Sequence, residues 1–219
     1  MPDLTREEGS DTPIALSAVK TFIDLLDGPH SEEFCSHILT RTDAVNILVD
    51  QIPSEQLGVY ALRALHCLLK PRAGPQALLN SQYAKLLNAL YAFLQSPRVS
   101  GIIACLKILR ELFLMNPYNL NSSQPVILAA FHALTIAKRP LHISKCIRTM
   151  TQILTGHNDQ AELVLKLRED ERLQEDLRTV RTTFYARDDS DEYTQQKAEF
   201  DRAYNHFCDL FSLDTSNHQ

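Results

Sequence analysis

Four stretches of the chain carry one five-position pattern at an interval of about 43 residues, the range of stacked helical repeats. The pattern is an apolar residue, a basic residue, then apolar residues three, six and seven positions after the first. Its copies are Val19, Lys20, Phe22, Leu25, Leu26; Leu62, Arg63, Leu65, Leu68, Leu69; Leu106, Lys107, Leu109, Leu112, Phe113; and Ile147, Arg148, Met150, Ile153, Leu154. Successive starts are separated by 43, 44 and 41 residues. The internal spacing is helical, and the long period means that each unit buries its apolar face against neighbouring units. An all-α stack of about three to four repeats is the expected architecture.

Composition agrees with that reading. The chain has 219 residues, six glycines and no tryptophan, with 44% hydrophobic residues, which excludes wholesale disorder and gives little material for hairpins. A net charge of -5 gives no bulk attraction to nucleic acid or acidic membranes, so any such affinity needs a local basic patch. The most apolar run, Ile102 to Met115, is broken by Lys107, Arg110 and Glu111 and is too short to span a bilayer. The N-terminal sequence has neither signal nor transit character, which sets cytoplasm or nucleus as the expected location. Five cysteines, Cys35, Cys67, Cys105, Cys146 and Cys208, are widely spaced and form no paired motif. Cys105 and Cys146 occupy the slot held by Ala18 and Ala61 in the first two copies, which suits small core residues.

Punctuation repeats with the core. Residues 1–11 read as a polar, disordered leader, and Thr12 with Pro13 opens a helix to about Leu26. Helices are expected over 31–40, 42–51 and from Ser54 to Leu69, then a short helical turn at 75–79 leading into a helix over 82–95. Ser123 is expected to cap a helix over 126–137, Pro140 to open the helix of the fourth copy, and Gly156 to close it. Residues 12–157 thus form the repeat region, 158–213 a charged helical region that caps it, and 214–219 a disordered tail. The final helix, from about Glu192, carries Tyr193, Phe200, Tyr204, Phe207 and Phe211 on one stripe. That stripe either covers the end of the stack or docks into a partner, so Phe200, Tyr204, Phe207 and Phe211 are secondary partner-binding candidates.

A helical wheel separates the pattern into two sets. At 100° per residue the basic position lies about 160° from the centre of the apolar set, so Lys20, Arg63, Lys107 and Arg148 point away from the core. His66, Arg110 and Lys145 share that outer face, with Asp24, Glu111 and Gln152. The pairs Lys20 with Asp24 and Lys107 with Glu111 have the i, i+4 spacing of helix-surface ion pairs.

The run Ala-Leu-Arg-Ala-Leu-His-Cys-Leu-Leu at 61–69, and Leu-Leu-Asn-Ala-Leu-Tyr-Ala-Phe-Leu-Gln-Ser-Pro at 86–97 before the next such helix, resemble armadillo and HEAT repeats. The resemblance covers roughly residues 13–157. It implies a right-handed armadillo-like α-solenoid in which the last helix of each unit lines a concave, protein-binding groove. Lys20, Arg63, His66, Lys107, Arg110, Lys145 and Arg148 would then line that groove. The groove asparagine of peptide-binding armadillo proteins has no counterpart at these outer positions.

No phosphate loop, dinucleotide fingerprint, metalloprotease helix or nucleophile elbow occurs. Cys35 with His37 makes only half a metal site, and Asp188, Asp189, Asp191 and Glu192 lack the spacing of a calcium loop. The chain is therefore expected to be a non-catalytic adaptor or scaffold without cofactor or metal, holding an acidic segment of another protein. Two alternatives remain: a helical-repeat protein that tracks RNA phosphates, and a portion of a longer armadillo scaffold.

Overall fold

A computed structural model describes residues 11–28, 31–39, 42–70, 76–95, 101–115, 123–136, 140–155, 161–186 and 191–211. The expected leader (apart from residue 11), the tail, Gly156 and most of the acidic stretch before the last helix lie outside these residues. The described residues form eleven α-helices and no strand. They are α1 (Asp11–Asp27), α2 (Ser31–Leu39), α3 (Thr42–Gln51), α4 (Gly58–Leu69), α5 (Gln76–Leu94), α6 (Ile102–Met115), α7 (Gln124–Thr135), α8 (Pro140–Thr155), α9 (Ala161–Arg168), α10 (Glu171–Tyr185) and α11 (Asp191–Leu210). None is long and apolar enough to cross a membrane.

The helices pack in two rows. In the first, α1 packs on α4, α4 on α6, α6 on α8, and α8 on α11. In the second, α3 packs on α5, α5 on α7, and α7 on α10, while α2 sits against α1, α3 and α4. The four copies of the pattern fall on α1, α4, α6 and α8, so the periodic residues all belong to the first row. In α4, α6 and α8 every apolar position of the pattern is buried. In α1 only Leu26 is; Val19 and Phe22 are half-buried and Leu25 is 52% exposed.

Two glycines admit close approaches. A Cβ on Gly58 would lie 2.3 Å from the Ile52 carbonyl oxygen, and one on Gly101 would lie 2.2 Å from the Phe93 ring. Both stand at the start of a first-row helix, where the chain passes beneath α5. Polar pins tie the second row together: Lys85 to Asp50 at 2.8 Å, His132 Nδ1 to Asp176 at 3.2 Å, and the Tyr83 and Ser123 hydroxyls at 3.1 Å.

Local chemistry alters several sequence-based boundaries. The helical turn expected at 75–79 is continuous from Gln76 onward with α5, because nothing in Gln76–Gln82 breaks a helix. Ser54 does not cap α4 itself; its Oγ accepts from Leu57 N at 3.3 Å and its carbonyl from Gly58 N at 3.0 Å, building a turn that leads into the helix. Ser123 stands at the N-cap of α7 without a capping bond, its hydroxyl being turned to Tyr83. The carboxylate of Asp170 does cap, accepting from Leu173 N at 2.9 Å to start α10.

The last two helices are charged in sequence yet build an aromatic interior. Phe184 of α10 stacks on Phe200 of α11 at 3.9 Å, Phe200 lies 5.4 Å from Tyr204, and Phe207 lies 4.9 Å from Phe131 of α7. Tyr204 donates its hydroxyl to the Leu177 carbonyl at 3.3 Å, and burial holds that phenol well above its usual pKa. Phe200, Tyr204, Phe207 and Phe211 are all buried, which corrects their reading as a docking stripe: they are occupied within the chain.

Candidate functional site

The outer face of the first row holds the seven basic-face candidates, and the structure divides them by what each touches. Lys20, Arg63, Lys107, Lys145 and Arg148 are exposed, as the wheel requires; His66 and Arg110 are partly buried. His66 and Arg110 stand four residues after the first position of the pattern in α4 and α6, nearer the apolar stripe than the basic position is, and Arg110 reaches Gln152 on α8.

Both ends of the ladder are engaged within the chain. The ammonium of Lys20 lies 5.7 Å from the centre of the Tyr60 ring on α4. Arg148 Nη2 pairs with the Glu199 carboxylate on α11. Arg110 is engaged too: its Nε and Nη2 donate to Glu111 Oε1 at 3.2 and 2.7 Å, and its Nη1 to Gln152 Oε1 on α8 at 3.4 Å. Glu111 is buried, so a compact fork of charge-assisted hydrogen bonds stabilises a carboxylate that burial alone would make costly. Neither expected i, i+4 pair forms: Glu111 is held by Arg110 and Lys20 by Tyr60.

His66 differs chemically from its neighbours. Its Nε2 is buried with no hydrogen-bond partner. Loss of solvent, reinforced by the Lys107 and Lys70 charges, pushes its pKa down to about 4, although Glu111 opposes this. The imidazole is therefore neutral near pH 7 and adds no positive charge to the face, a correction to its place in the basic ladder.

What remains is a set of three. Arg63 on α4, Lys107 on α6 and Lys145 on α8 are exposed and form no ion pair among the described residues. They sit on three successive helices of one row. A strip of cations outside local ion pairs attracts anions.

A concavity between α1, α2 and α4 is lined by Leu26, Asp27, Ser31, Cys35, Cys67 and Lys70. Asp27 Oδ1 accepts from Lys70 Nζ at 2.7 Å and from the Cys67 thiol at 3.2 Å. The Lys70 bond, helped by Cys67, holds the Asp27 carboxyl below its usual range. Burial, followed by the bond to Asp27, lifts the Cys67 thiol to about 11, so it is protonated and unreactive at neutral pH. Burial also raises Cys105, brings Cys146 up to about 12 and Cys208 to about 11. None of the five cysteines is in a disulfide, and Cys35 is the one that is not buried. Among the described residues no three His, Cys, Asp or Glu side chains converge on a point that could hold a metal ion.

Sequence reasoning missed Tyr60, Glu199 and the Asp27–Lys70 pair. The last was accessible: Asp27 and Lys70 are 43 residues apart, one period, on helices that neighbour each other in the row. Glu199 lies 51 residues after Arg148, off the period, and could not be paired without the fold. No family model, curated protein or solved structure matches this chain.

Proposed function

We propose that the chain is a non-catalytic protein–protein interaction adaptor of the armadillo-like α-solenoid kind. The first row is its recognition face, and an acidic segment of another protein is its ligand. One observation carries the reading: Arg63, Lys107 and Lys145 are exposed on three neighbouring helices with no ion pair among the described residues, while Lys20, Arg110 and Arg148 are engaged within the chain. The two-row packing, with all four pattern copies in one row, supports the solenoid description.

An acidic peptide suits the strip better than RNA does. Base stacking needs exposed aromatic rings beside the cations, and Tyr60, the ring next to the ladder on α4, lies beneath Lys20. The test compares a nine-residue oligoglutamate with an oligouridine of similar length by fluorescence anisotropy, at about 0.15 M salt, where screening is physiological. Wild type is expected to prefer the peptide. A variant carrying Arg63→Glu, Lys107→Glu and Lys145→Glu should lose it while keeping its helical circular dichroism. Preference for the RNA with a steep salt slope would overturn the assignment.

A further inference from the structure

We infer that Glu199 is a specificity determinant of the first-row face: by holding Arg148 it leaves Lys145 as the contact of α8, so an acidic segment is read along an oblique line through Arg63, Lys107 and Lys145. This rests on the proposed acidic-segment reading. Arg63, Lys107 and Arg148 occupy the same slot of the repeat and would lie in register across α4, α6 and α8. Arg148 is removed from that register because the Glu199 carboxylate of α11 pairs with it. Lys145 stands three residues earlier on α8, about 4.5 Å along the helix axis, exposed and without an ion-pair partner among the described residues.

The geometry also indicates the ligand's spacing. Neighbouring packed helices lie about 8–10 Å apart, so the three cations present themselves at roughly that interval. A polyproline II segment repeats the same side-chain direction every three residues, about 9 Å, whereas a β-strand does so at about 7 Å. An acidic residue at every third position of such a segment therefore meets one cation per helix. Glu199 competes effectively because it is tethered at high local concentration. The pair is nonetheless partly exposed, with 52% of the Arg148 side chain accessible, so it shifts the balance without locking it.

The test uses the intact chain and the peptide Glu-Pro-Pro-Glu-Pro-Pro-Glu, with an isomer whose three glutamates are adjacent as the control. Wild type should bind the spaced peptide more tightly than the isomer, and Lys145→Gln should weaken it by about two- to fivefold, the range of an exposed ion pair. Adding Glu199→Gln should restore the affinity of Lys145→Gln by freeing Arg148, and a further Arg148→Gln should abolish the rescue. The inference fails if Glu199→Gln does not rescue, if Arg148→Gln in the wild type weakens binding as much as Lys145→Gln does, or if the isomer binds equally well. Binding by the wild type without rescue removes the role of Glu199 and leaves the acidic-segment reading standing; no binding of either peptide by wild type or Glu199→Gln removes both. All these positions are exposed or half-exposed, so circular dichroism should be unchanged in every variant.

Discussion

The two terminal helices of the first row invert the relation between sequence pattern and burial. Helix α1 carries a full copy of the repeat, yet Leu25 is 52% exposed, while its counterparts Leu68, Leu112 and Ile153 are buried. Helix α11 carries no copy, yet Phe200, Phe207 and Phe211 are buried to within 1%. The difference lies in the neighbours. α4, α6 and α8 each have a row helix on both sides, whereas α1 has α4 on one side only, among the described residues. α11 is enclosed because α8, α10 and α7 converge on its aromatic stripe. Apolar periodicity therefore marks the capacity to be buried, and the neighbour decides whether it is used.

The largest expected effect tests the sealed end. Phe207→Ala should cost about 3–5 kcal/mol, as deletion of a fully buried ring usually does, and chemical denaturation would read it. If α11 were instead a loosely held appendage, the midpoint would barely move. Next comes the same repeat slot in two settings. Leu68→Ala is expected to cost about 2–5 kcal/mol, and Leu25→Ala, half in water already, under about 1 kcal/mol. Equal losses would break the comparison. A third test concerns how closely the chain packs at the start of α4: Gly58→Ala should cost about 1–3 kcal/mol, because its Cβ would meet the Ile52 carbonyl oxygen, which is backbone and cannot yield cheaply.

The last test contrasts the residue four places after the first position of the repeat, Ile23 in α1 and His66 in α4. His66 has a folded pKa of about 4 against an ordinary value of 6.5. Below pH 6.5 the unfolded chain takes up a proton that the native state refuses, so stability is complete above that pH and declines as pH falls toward 4. The loss should reach about 1–3 kcal/mol, discounted for the partial exposure of the ring. Replacing His66 with Ile, the residue of the first copy, should flatten the decline across this window in melts taken between pH 7 and pH 4. An unchanged slope would show that other groups govern it.

The contrast has a correlate in the sequence that the repeat pattern alone does not use. The slots that hold buried Ala64 and Cys67 in α4 hold exposed Thr21 and Asp24 in α1, one period earlier, and these polar residues identify α1 as a helix with an open side. Apart from α5, which starts six residues before its expected beginning, glycine and proline punctuation located the described helices to within about four residues, and the outward direction of Arg63, Lys107, Lys145 and Arg148 followed from the wheel. Which of the cations are free did not follow. Lys107 and Glu111 have ideal spacing for an ion pair, but Glu111 turns inward and takes the adjacent Arg110, a choice set by burial between helices.

The sequence by itself determined that the chain is helical, where its helices lie, and which face of the repeating ones is apolar, because these depend on spacing along the chain and on local backbone preference. Only the tertiary structure decided which apolar faces are covered, that the aromatic stripe of α11 is interior, that His66 is neutral, and that Glu199 holds Arg148. Each of those depends on the distance between groups on different helices. That distance sets desolvation and charge pairing, and no periodicity within a single helix encodes it.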